Sequence, residues 1–248
     1  MKKQLWLLPV AILTFSLVNA PAQTSGPQLG GATSKLFGEN QTYTATLEIQ
    51  TTSQQGNNLT MPGKISFDSG KSSFALNMTE VQGSKMPPAT AAQMKEMGMD
   101  QMVSLSLPDK KTAYLIYPGM KSYIARPMTD EATTPVNDYQ VTTTELGKEV
   151  LDGHDCTKNK VVVTGKDGTT HGFTVWNATD LNKFPVKIQG TEQGQNTTML
   201  FKNISLAKPD ASAFEVPASY TKYNNLPALM QAEMMKKLGN NMRGVPGN

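Results

Sequence analysis

The sequence predicts an α+β fold in which roughly ten antiparallel strands form one sheet and two helices lie against it. Apolar and polar residues alternate with a period of two through most of residues 40–206, as they do in strands with one buried face. Two stretches, 88–98 and 227–238, repeat their apolar residues at helical spacing instead. Short turns rich in Gly, Pro and Asp separate the strands, which indicates antiparallel hairpins.

The alternation is clearest in the first strand, whose apolar residues share one face: Tyr43, Ala45, Leu47 and Ile49. A turn at 68–70 joins two more alternating runs into a hairpin. The remaining strands are predicted at 103–107, 114–117, 122–124, 148–153, 160–164, 171–176, 184–189 and 197–206. Residues 126–140 are interpreted as a connection between two groups of strands.

The first predicted helix begins after Pro87 and ends at Gly98, because proline favours a helix start and glycine a helix end. Ala91, Met94 and Met97 fall on one of its faces. The second helix carries its apolar residues at the same kind of spacing: Leu229, Met230, Met234 and Leu238. We expect both helices to cover one face of a curled sheet.

The N-terminus has the three parts of a secretory signal peptide: a basic start, an apolar run over 5–18 and small residues around Ala20 and Ala22. The run is too short to cross a hydrocarbon core of about 30 Å comfortably. We expect cleavage after Ala22. The predicted organisation is a signal peptide at 1–22, a flexible leader at 23–39, a β domain at 40–224, and a C-terminal Met-rich helix and tail at 225–248.

Net charge and cysteine content limit the classes of protein to which the chain can belong. Removal of Lys2 and Lys3 with the signal peptide reduces the formal charge of +3 to about +1, which argues against a nucleic-acid-binding protein. Cys156 is the only cysteine, so no intrachain disulfide can form. We interpret it as a small buried apolar residue. An intermolecular or reactive thiol is the alternative.

Candidate catalytic residues are few. His154 and Cys156 could form a nucleophile pair that Asp152 or Asp155 orients, but a turn followed by a buried cysteine is the favoured interpretation. No zinc spacing, phosphate-binding loop, nucleophile elbow or dinucleotide-binding motif occurs. We therefore predict a protein that is not an enzyme and that needs no cofactor.

Methionines cluster in two places: Met94, Met97, Met99 and Met102, and Met230, Met234, Met235 and Met242. Unbranched thioethers can fill irregular apolar space, or they can line a surface that adapts to varied apolar partners. Thioethers also select Cu(I). The sequence leaves these three interpretations open.

Several short motifs resemble those of a known protein family. They occur at 97–102, 108–114, 117–123, 153–158, 175–176, 180–181, 209–217 and 220–223. Examples are Met-Gly-Met-Asp-Gln-Met, Pro-Asp-Lys-Lys-Thr-Ala-Tyr and Gly-His-Asp-Cys-Thr-Lys. Together they resemble the bacterial domain-of-unknown-function 4412 family over about residues 40–223. That family looks related to the periplasmic lipoprotein-carrier superfamily, which has the LolA/LolB-like fold.

The resemblance implies a strongly curved antiparallel β half-barrel with helices plugging the open side and an apolar cavity that holds acyl chains. It carries no catalytic residues. The chain has no cysteine near the cleavage site for lipid attachment, so the resemblance favours a soluble carrier or sensor. We predict that the cavity is lined by Met94, Met97, Met102, Leu105, Tyr114, Ile116 and Trp176.

The leading hypothesis is an exported, monomeric, non-enzymatic protein of the periplasm or extracellular space that binds a lipid or another hydrophobic ligand. We expect no nucleic-acid partner, no stable membrane insertion and no resident metal. Two alternatives remain: a periplasmic Met-rich copper-binding protein, and a structural envelope protein without a ligand.

Overall fold

The computed structural model describes Leu29, residues 31–52, Gly56, and residues 58–192 and 195–243, with side chains described as far as residue 236 except that of Glu192. The predicted signal peptide and the first part of the predicted leader, 23–28, lie outside the described residues.

Twelve strands and four α-helices follow one another along the described chain. The strands are β1 (Thr42–Thr52), β2 (Asn58–Asp68), β3 (Lys71–Asn77), β4 (Gln101–Leu107), β5 (Thr112–Tyr117), β6 (Ser122–Pro127), β7 (Gln140–Leu151), β8 (His154–Thr164), β9 (Thr170–Ala178), β10 (Pro185–Glu192), β11 (Gln195–Ser205) and β12 (Thr221–Tyr223). The helices are α1 (Gly31–Lys35), α2 (Pro88–Met97), α3 (Asp130–Thr133) and α4 (Leu226–Arg243).

All twelve strands belong to one curved, open sheet in the order β12-β6-β5-β4-β3-β2-β1-β11-β10-β9-β8-β7. Neighbouring strands are antiparallel with one exception. The three-residue strand β12 pairs with β6 in parallel, Thr221 opposite Ser122, so the sheet is mixed rather than wholly antiparallel as predicted. The predicted α+β class, with a strongly curved sheet and few helices, is confirmed.

One face of the sheet, which we call the inner face, carries the main apolar core. The predicted alternation of β1 is confirmed, because Tyr43, Ala45, Leu47 and Ile49 are buried while the residues between them are partly exposed. The segment around α1 contributes Leu29, Leu36 and Phe37 to the same core, and α4 contributes Leu229. The inner face is therefore covered by residues from both ends of the described chain.

A second, smaller core lies on the other face, which we call the outer face. It consists of Leu105, Leu107, Ile116 and Phe214. Phe214 belongs to a single 3-10 turn, Ala211–Phe214, that follows β11. Packing of this turn against the outer face buries a part of the sheet that would otherwise face water.

The predicted flexible leader is wrong for its described part. Leu29 is buried, and residues 31–39 form α1 and the turn that follows it. Phe37 has no exposed surface and packs among the core aromatic residues. The small polar residues of this segment suggested a leader, but its few large apolar side chains are enough to fix it on the sheet.

One further prediction needs correction, and another gains detail. Strand β7 spans Gln140–Leu151, whereas the sequence predicted only a short strand from residue 148. It is the last strand of the sheet order and exposes almost all its residues, so it shows no clear alternation. The predicted connection at 126–140 contains α3 and a 3-10 turn, Val136–Asp138.

The two predicted helices are confirmed as elements. Helix α2 starts with proline in its first turn and ends at Gly98, whose φ is 73°. Helix α4 extends past the predicted 227–238 at both ends. Asn225 precedes it and caps it, because its side-chain oxygen accepts a hydrogen bond from the backbone N–H of Ala228 at 2.8 Å.

Candidate functional site

The seven residues predicted to line a cavity do not share one face of the sheet. Met102 belongs to the main core, whereas Leu105 and Ile116 are buried in the second core and Tyr114 packs against it. Met102 and Leu105 are three residues apart in β4, and successive strand residues point to opposite faces. The structure therefore brings Leu105, Tyr114 and Ile116 together on the outer face, away from the inner face.

Trp176 is buried in the main core and lies on a face of β9 that two lysines also border. It is opposite Lys158 and Lys187 in the paired strands and lies on the other face of β9 from Val175. The Nζ atoms of these lysines lie 4.9 and 4.3 Å from the indole ring centre. The indole N–H donates to Oε2 of Glu149 at 2.9 Å. Trp176 is 2% exposed and belongs to the main core, so this tryptophan combines apolar packing with charged neighbours.

Met94 and Met97 do reach the inner face. Both are partly buried and pack against the main core, while no residue of α2 is fully buried. The predicted interior orientation of this helix face therefore fits the structure. Met94 and Met97 are the hydrophobic side chains of α2 that pack against the main core.

Methionines gather at one end of the inner face. Strands β3 and β5 end there and strands β4 and β6 begin there, with α2 connecting β3 to β4. We call this region the methionine end, and it comprises Met61, Met78, Met94, Met97, Met99, Met102, Met120 and Met199. Met61 and Met199 lie on either side of Ile49 in the paired strands. The four methionines at 94–102 are clustered in the sequence itself, whereas strand order and register bring the other four to the same end.

Aromatic side chains fill the opposite end of the inner face. The cluster comprises Phe37, Tyr43, Phe67, Phe184 and Phe201, and each of these side chains is 2% exposed or less. The rings of Phe37 and Tyr43 stack with centres 5.0 Å apart, and Phe184 meets Tyr43 edge-on at 4.9 Å. Burial raises the pKa of Tyr43 well above its usual value. The hydroxyl of Tyr43 has no hydrogen-bond partner among the described residues.

The inner face thus has two regions of different character. Aromatic rings at one end are fully buried and interlocked, and side chains packed this way resist rearrangement. Methionines at the other end are mostly half-buried, and their unbranched side chains can change rotamer at small cost. The methionine end is therefore the part of the inner face whose side chains can deform around a ligand.

A backbone contact fixes the end of α2 at this site. The N–H of Gly98 donates to the carbonyl of Lys95 at 3.0 Å, and the next N–H, of Met99, donates to the carbonyl of Met94 at 2.8 Å. Gly98 and Gly119 approach so closely that a Cβ added to Gly98 would lie 2.7 Å from the carbonyl carbon of Gly119. Both glycines are therefore required by close approach, and Gly98 also by its positive φ.

Replacement of Gly98 by alanine is expected to destabilise the protein by about 2–4 kcal/mol, because it combines left-handed strain with a steric overlap. Gly168→Ala is the matched control, since Gly168 has a φ of 83° but open space around its Cβ position. Chemical denaturation of both variants measures the difference. Equal destabilisation by the two substitutions would contradict the role of the Gly98–Gly119 contact.

The candidate nucleophile pair is not assembled. Cys156 is buried, and its thiol donates to the backbone carbonyl of His154 at 3.4 Å rather than to an imidazole nitrogen. Burial raises the pKa of this thiol, which keeps it protonated. The imidazole instead contacts Asp180 at 2.8 Å, and that hydrogen bond lowers the pKa of the Asp180 carboxyl. The interpretation of Cys156 as a small buried residue is confirmed.

Two clefts on the described surface lie outside the apolar interior. The first, of about 540 Å³, lies by α1 and the β2–β3 turn and is lined by polar residues such as Lys35, Gln41 and Asn137. The second, of about 370 Å³, is lined by residues that include Lys111, Thr112, Tyr114, Tyr123, Arg126 and Lys222. Of the seven predicted residues, only Tyr114 lines either cleft.

Two searches of the described residues give negative results. No group of three or more His, Cys, Asp or Glu side chains in this part of the chain is arranged to hold a metal ion. Among its helices, none combines the length and the hydropathy that a bilayer span requires.

Comparison with known proteins finds similarity to solved structures alone. No protein-family model matches the chain, and no curated protein matches its sequence. The resemblance to the domain-of-unknown-function 4412 family therefore stays a prediction.

Solved structures similar to the chain include a LolA superfamily protein and two mycobacterial proteins. A LolA superfamily protein from Nitrosomonas europaea is 11% identical, with 75% of this chain and 97% of that chain covered and a TM-score of 0.40. LprF from Mycobacterium bovis is 12% identical over 78% and 95% of the two chains, with a TM-score of 0.40. The lipoprotein LppX from Mycobacterium tuberculosis is 10% identical over 70% and 89%, with a TM-score of 0.37.

Proposed function

We propose that the protein is an exported, monomeric, non-enzymatic binding protein that takes an apolar ligand, such as an acyl chain, between the inner face of its sheet and helix α2. The observation that carries the proposal is the methionine end. There the main core is bounded by half-buried, deformable side chains and by a helix that contributes no fully buried residue.

The energetics of such a ligand are favourable. Each methylene group removed from water contributes about 0.8 kcal/mol. Several methylenes therefore offset the cost of displacing Met94 and Met97, which the structure leaves partly exposed. Methionine suits this exchange, because the same side chains can pack against the core without a ligand and against the ligand when it is bound.

Export to the cell envelope is part of the proposal and depends on the N-terminal sequence. The basic start, the apolar run and the small residues before the expected cleavage site support it. An envelope protein can meet acyl chains from membrane lipids, which agrees with an apolar ligand. N-terminal sequencing of the exported protein tests this part separately, since a chain that still begins at Met1 would contradict it.

Paired substitutions of Met94 and Met97 test the ligand site. The double substitution Met94→Leu/Met97→Leu retains volume and hydrophobicity, so we expect affinity for a fluorescent fatty acid to change less than about threefold and stability by less than about 1.5 kcal/mol. The double substitution Met94→Asp/Met97→Asp places charges against apolar surface and is expected to weaken binding at least tenfold, or about 1.4 kcal/mol.

A fluorescence titration of the wild type and both variants measures these effects, and circular dichroism shows whether the Asp variant is folded. If the Asp variant is folded and binds the fatty acid as the wild type does, the ligand does not contact α2. If the wild type binds no fatty acid, the proposed function is wrong.

Copper binding is the second candidate function, and the gathering of eight methionines at one end of the inner face favours it. The Leu variant separates the two candidates, because Cu(I) requires the sulfur atoms and an acyl chain requires only apolar volume. Tight Cu(I) binding by the wild type that the Leu variant loses would replace the apolar-ligand proposal with the metal one.

A further inference from the structure

Five lysines lie on the outer face of the sheet, on strands between β2 and β8. They are Lys64 on β2, Lys158 and Lys160 on β8, Lys187 on β10, and Lys202 on β11. Two rules of strand geometry place them together. Paired residues of neighbouring strands share a face, and so do residues two apart in one strand.

Two of the five lysines lie on either side of one threonine. Lys64 on β2 and Lys202 on β11 are both opposite Thr46 of β1. Lys64 also belongs to a row of paired residues that runs across β3 and β4 to Ile116 on β5, which is buried in the second core. This row identifies the face that these lysines share as the outer face.

The other three lysines lie around one tryptophan. Lys158 and Lys187 are both opposite Trp176 of β9, and Lys160 is two residues from Lys158. The Nζ atoms of Lys158 and Lys187 lie 4.9 and 4.3 Å from the indole ring centre, so both ammonium groups are held against one ring. The row of paired residues continues from Lys187 across β11 to β1, where it meets the face that carries the threonine described above.

We call these five lysines the basic face, and two carboxylates partly neutralise it. Oε2 of Glu48 lies 3.8 Å from Nζ of Lys202, and Oε2 of Glu149 lies 3.8 Å from Nζ of Lys158. Five lysines and two carboxylates give this face a net charge of +3, whereas the whole chain after the predicted cleavage carries about +1. The remainder of the molecule is therefore slightly negative, and this concentration of positive charge sets the basic face apart.

We propose that the basic face binds the surface of an anionic lipid bilayer. The lysines extend across six neighbouring strands, which at about 4.8 Å per strand make a face about 24 Å wide. A matching partner presents negative charge over a comparable width, as a layer of anionic headgroups does. The residues that line the two clefts described above include none of the five lysines, so the basic face is a surface for an extended partner.

Trp176 gives the basic face a second feature that fits a bilayer. In the free protein its ring is 2% exposed, with two ammonium groups against it. When the long side chains of Lys158 and Lys187 turn toward lipid phosphates, the ring loses this cover and meets the headgroup layer, where indole rings are favoured. An acidic polypeptide offers carboxylates but no boundary between headgroups and hydrocarbon, so the bilayer is the partner that both features fit.

The proposal is independent of the proposed apolar-ligand function. The basic face belongs to the outer face of the sheet, whereas the methionine end belongs to the inner face. Substitutions in the basic face should therefore leave affinity for a fluorescent fatty acid unchanged. That measurement distinguishes failure of one proposal from failure of the other.

The test compares the wild type with the triple variant Lys64→Gln/Lys160→Gln/Lys187→Gln, both beginning at residue 23. A matched control, Lys85→Gln/Lys110→Gln/Lys222→Gln, removes the same charge from three exposed lysines outside the basic face. Sedimentation with vesicles of equal parts phosphatidylglycerol and phosphatidylcholine measures affinity, and vesicles of phosphatidylcholine alone are the neutral reference. Melting curves verify that all three proteins are folded.

Tryptophan fluorescence gives a second measurement at the site itself. The chain has two tryptophans, and Trp6 lies in the predicted signal peptide, so Trp176 is the only tryptophan of a protein that begins at residue 23. We expect its emission to shift when the wild type and the control bind anionic vesicles. Binding with no change in emission would place another surface against the bilayer and overturn the proposal.

We expect the wild type to bind the anionic vesicles and not the neutral ones. The basic-face variant should lose at least tenfold in affinity, because each lysine near an anionic surface contributes to binding, and the control should stay within twofold. A wild type that does not bind the anionic vesicles overturns the proposal, and its binding to soluble polyglutamate would then assign the face to an acidic polypeptide. An equal loss in the control also overturns it, because general surface charge would then explain the binding.

Discussion

Replacing Phe37 with alanine is expected to lower the free energy of unfolding by about 3–5 kcal/mol, the usual cost of removing a buried aromatic side chain. Phe37 has no exposed surface and contacts four rings of the aromatic cluster, with ring centres 5.0 to 6.0 Å away. The surrounding rings belong to strands and turns of the sheet, so they cannot collapse fully into the space it leaves. Urea denaturation of the protein beginning at residue 23 measures the loss.

Glu39→Ala is the control for this prediction, because Glu39 lies two residues away and is exposed. A surface substitution of this kind should change stability by less than about 0.5 kcal/mol. If Phe37→Ala costs no more than Glu39→Ala, the segment before β1 is a leader after all and does not belong to the core.

Replacing Leu229 with alanine is expected to cost about 2–5 kcal/mol. Leu229 of α4 is completely buried, and it packs in the main core. Met234 lies in the same helix but is 58% exposed, so Met234→Ala controls for any effect on the helix itself. Similar destabilisation by both substitutions, measured by thermal and urea unfolding, would contradict the docking of α4 on the sheet.

The sequence predicts the regular part of this fold well, because alternation follows directly from a strand with one buried face. A strand without one buried face shows no such alternation, so the sequence does not reveal it. Strand β7 is rich in threonine and exposed on both faces, and its edge position comes from the sheet order rather than from its own residues. The parallel pairing of Thr221–Tyr223 with β6 likewise depends on where the long connection after β11 returns.

The segment before β1 shows a different limit. Its many small polar residues are typical of a leader, yet Leu29, Leu36 and Phe37 supply enough apolar area to bury it. Their number is too small for a periodic pattern. The apolar pair at 36–37, immediately before the first strand, was the feature of the sequence that indicated burial of this segment.

The candidate site could be predicted only in part. The helical face with Met94 and Met97 follows from spacing alone. The sequence could also have predicted that Met102 and Leu105 lie on opposite faces, since an odd spacing within one strand places two residues on opposite faces. The positions of Met61 and Met199 beside Ile49, and of Lys222 beside Tyr123, depend on strand register across the sheet, which no single segment encodes.

The central claim is that the inner face holds an apolar ligand at the methionine end. The measurement that tests it most directly is mass spectrometry of lipid extracts from the protein purified from its native envelope, with the Met94→Asp/Met97→Asp variant purified in parallel. We expect an acyl lipid in the wild type at a stoichiometry approaching one per chain, and a strong depletion of that lipid in the folded variant. Wild-type protein that carries no lipid, and takes up none when incubated with envelope lipids, would contradict the account.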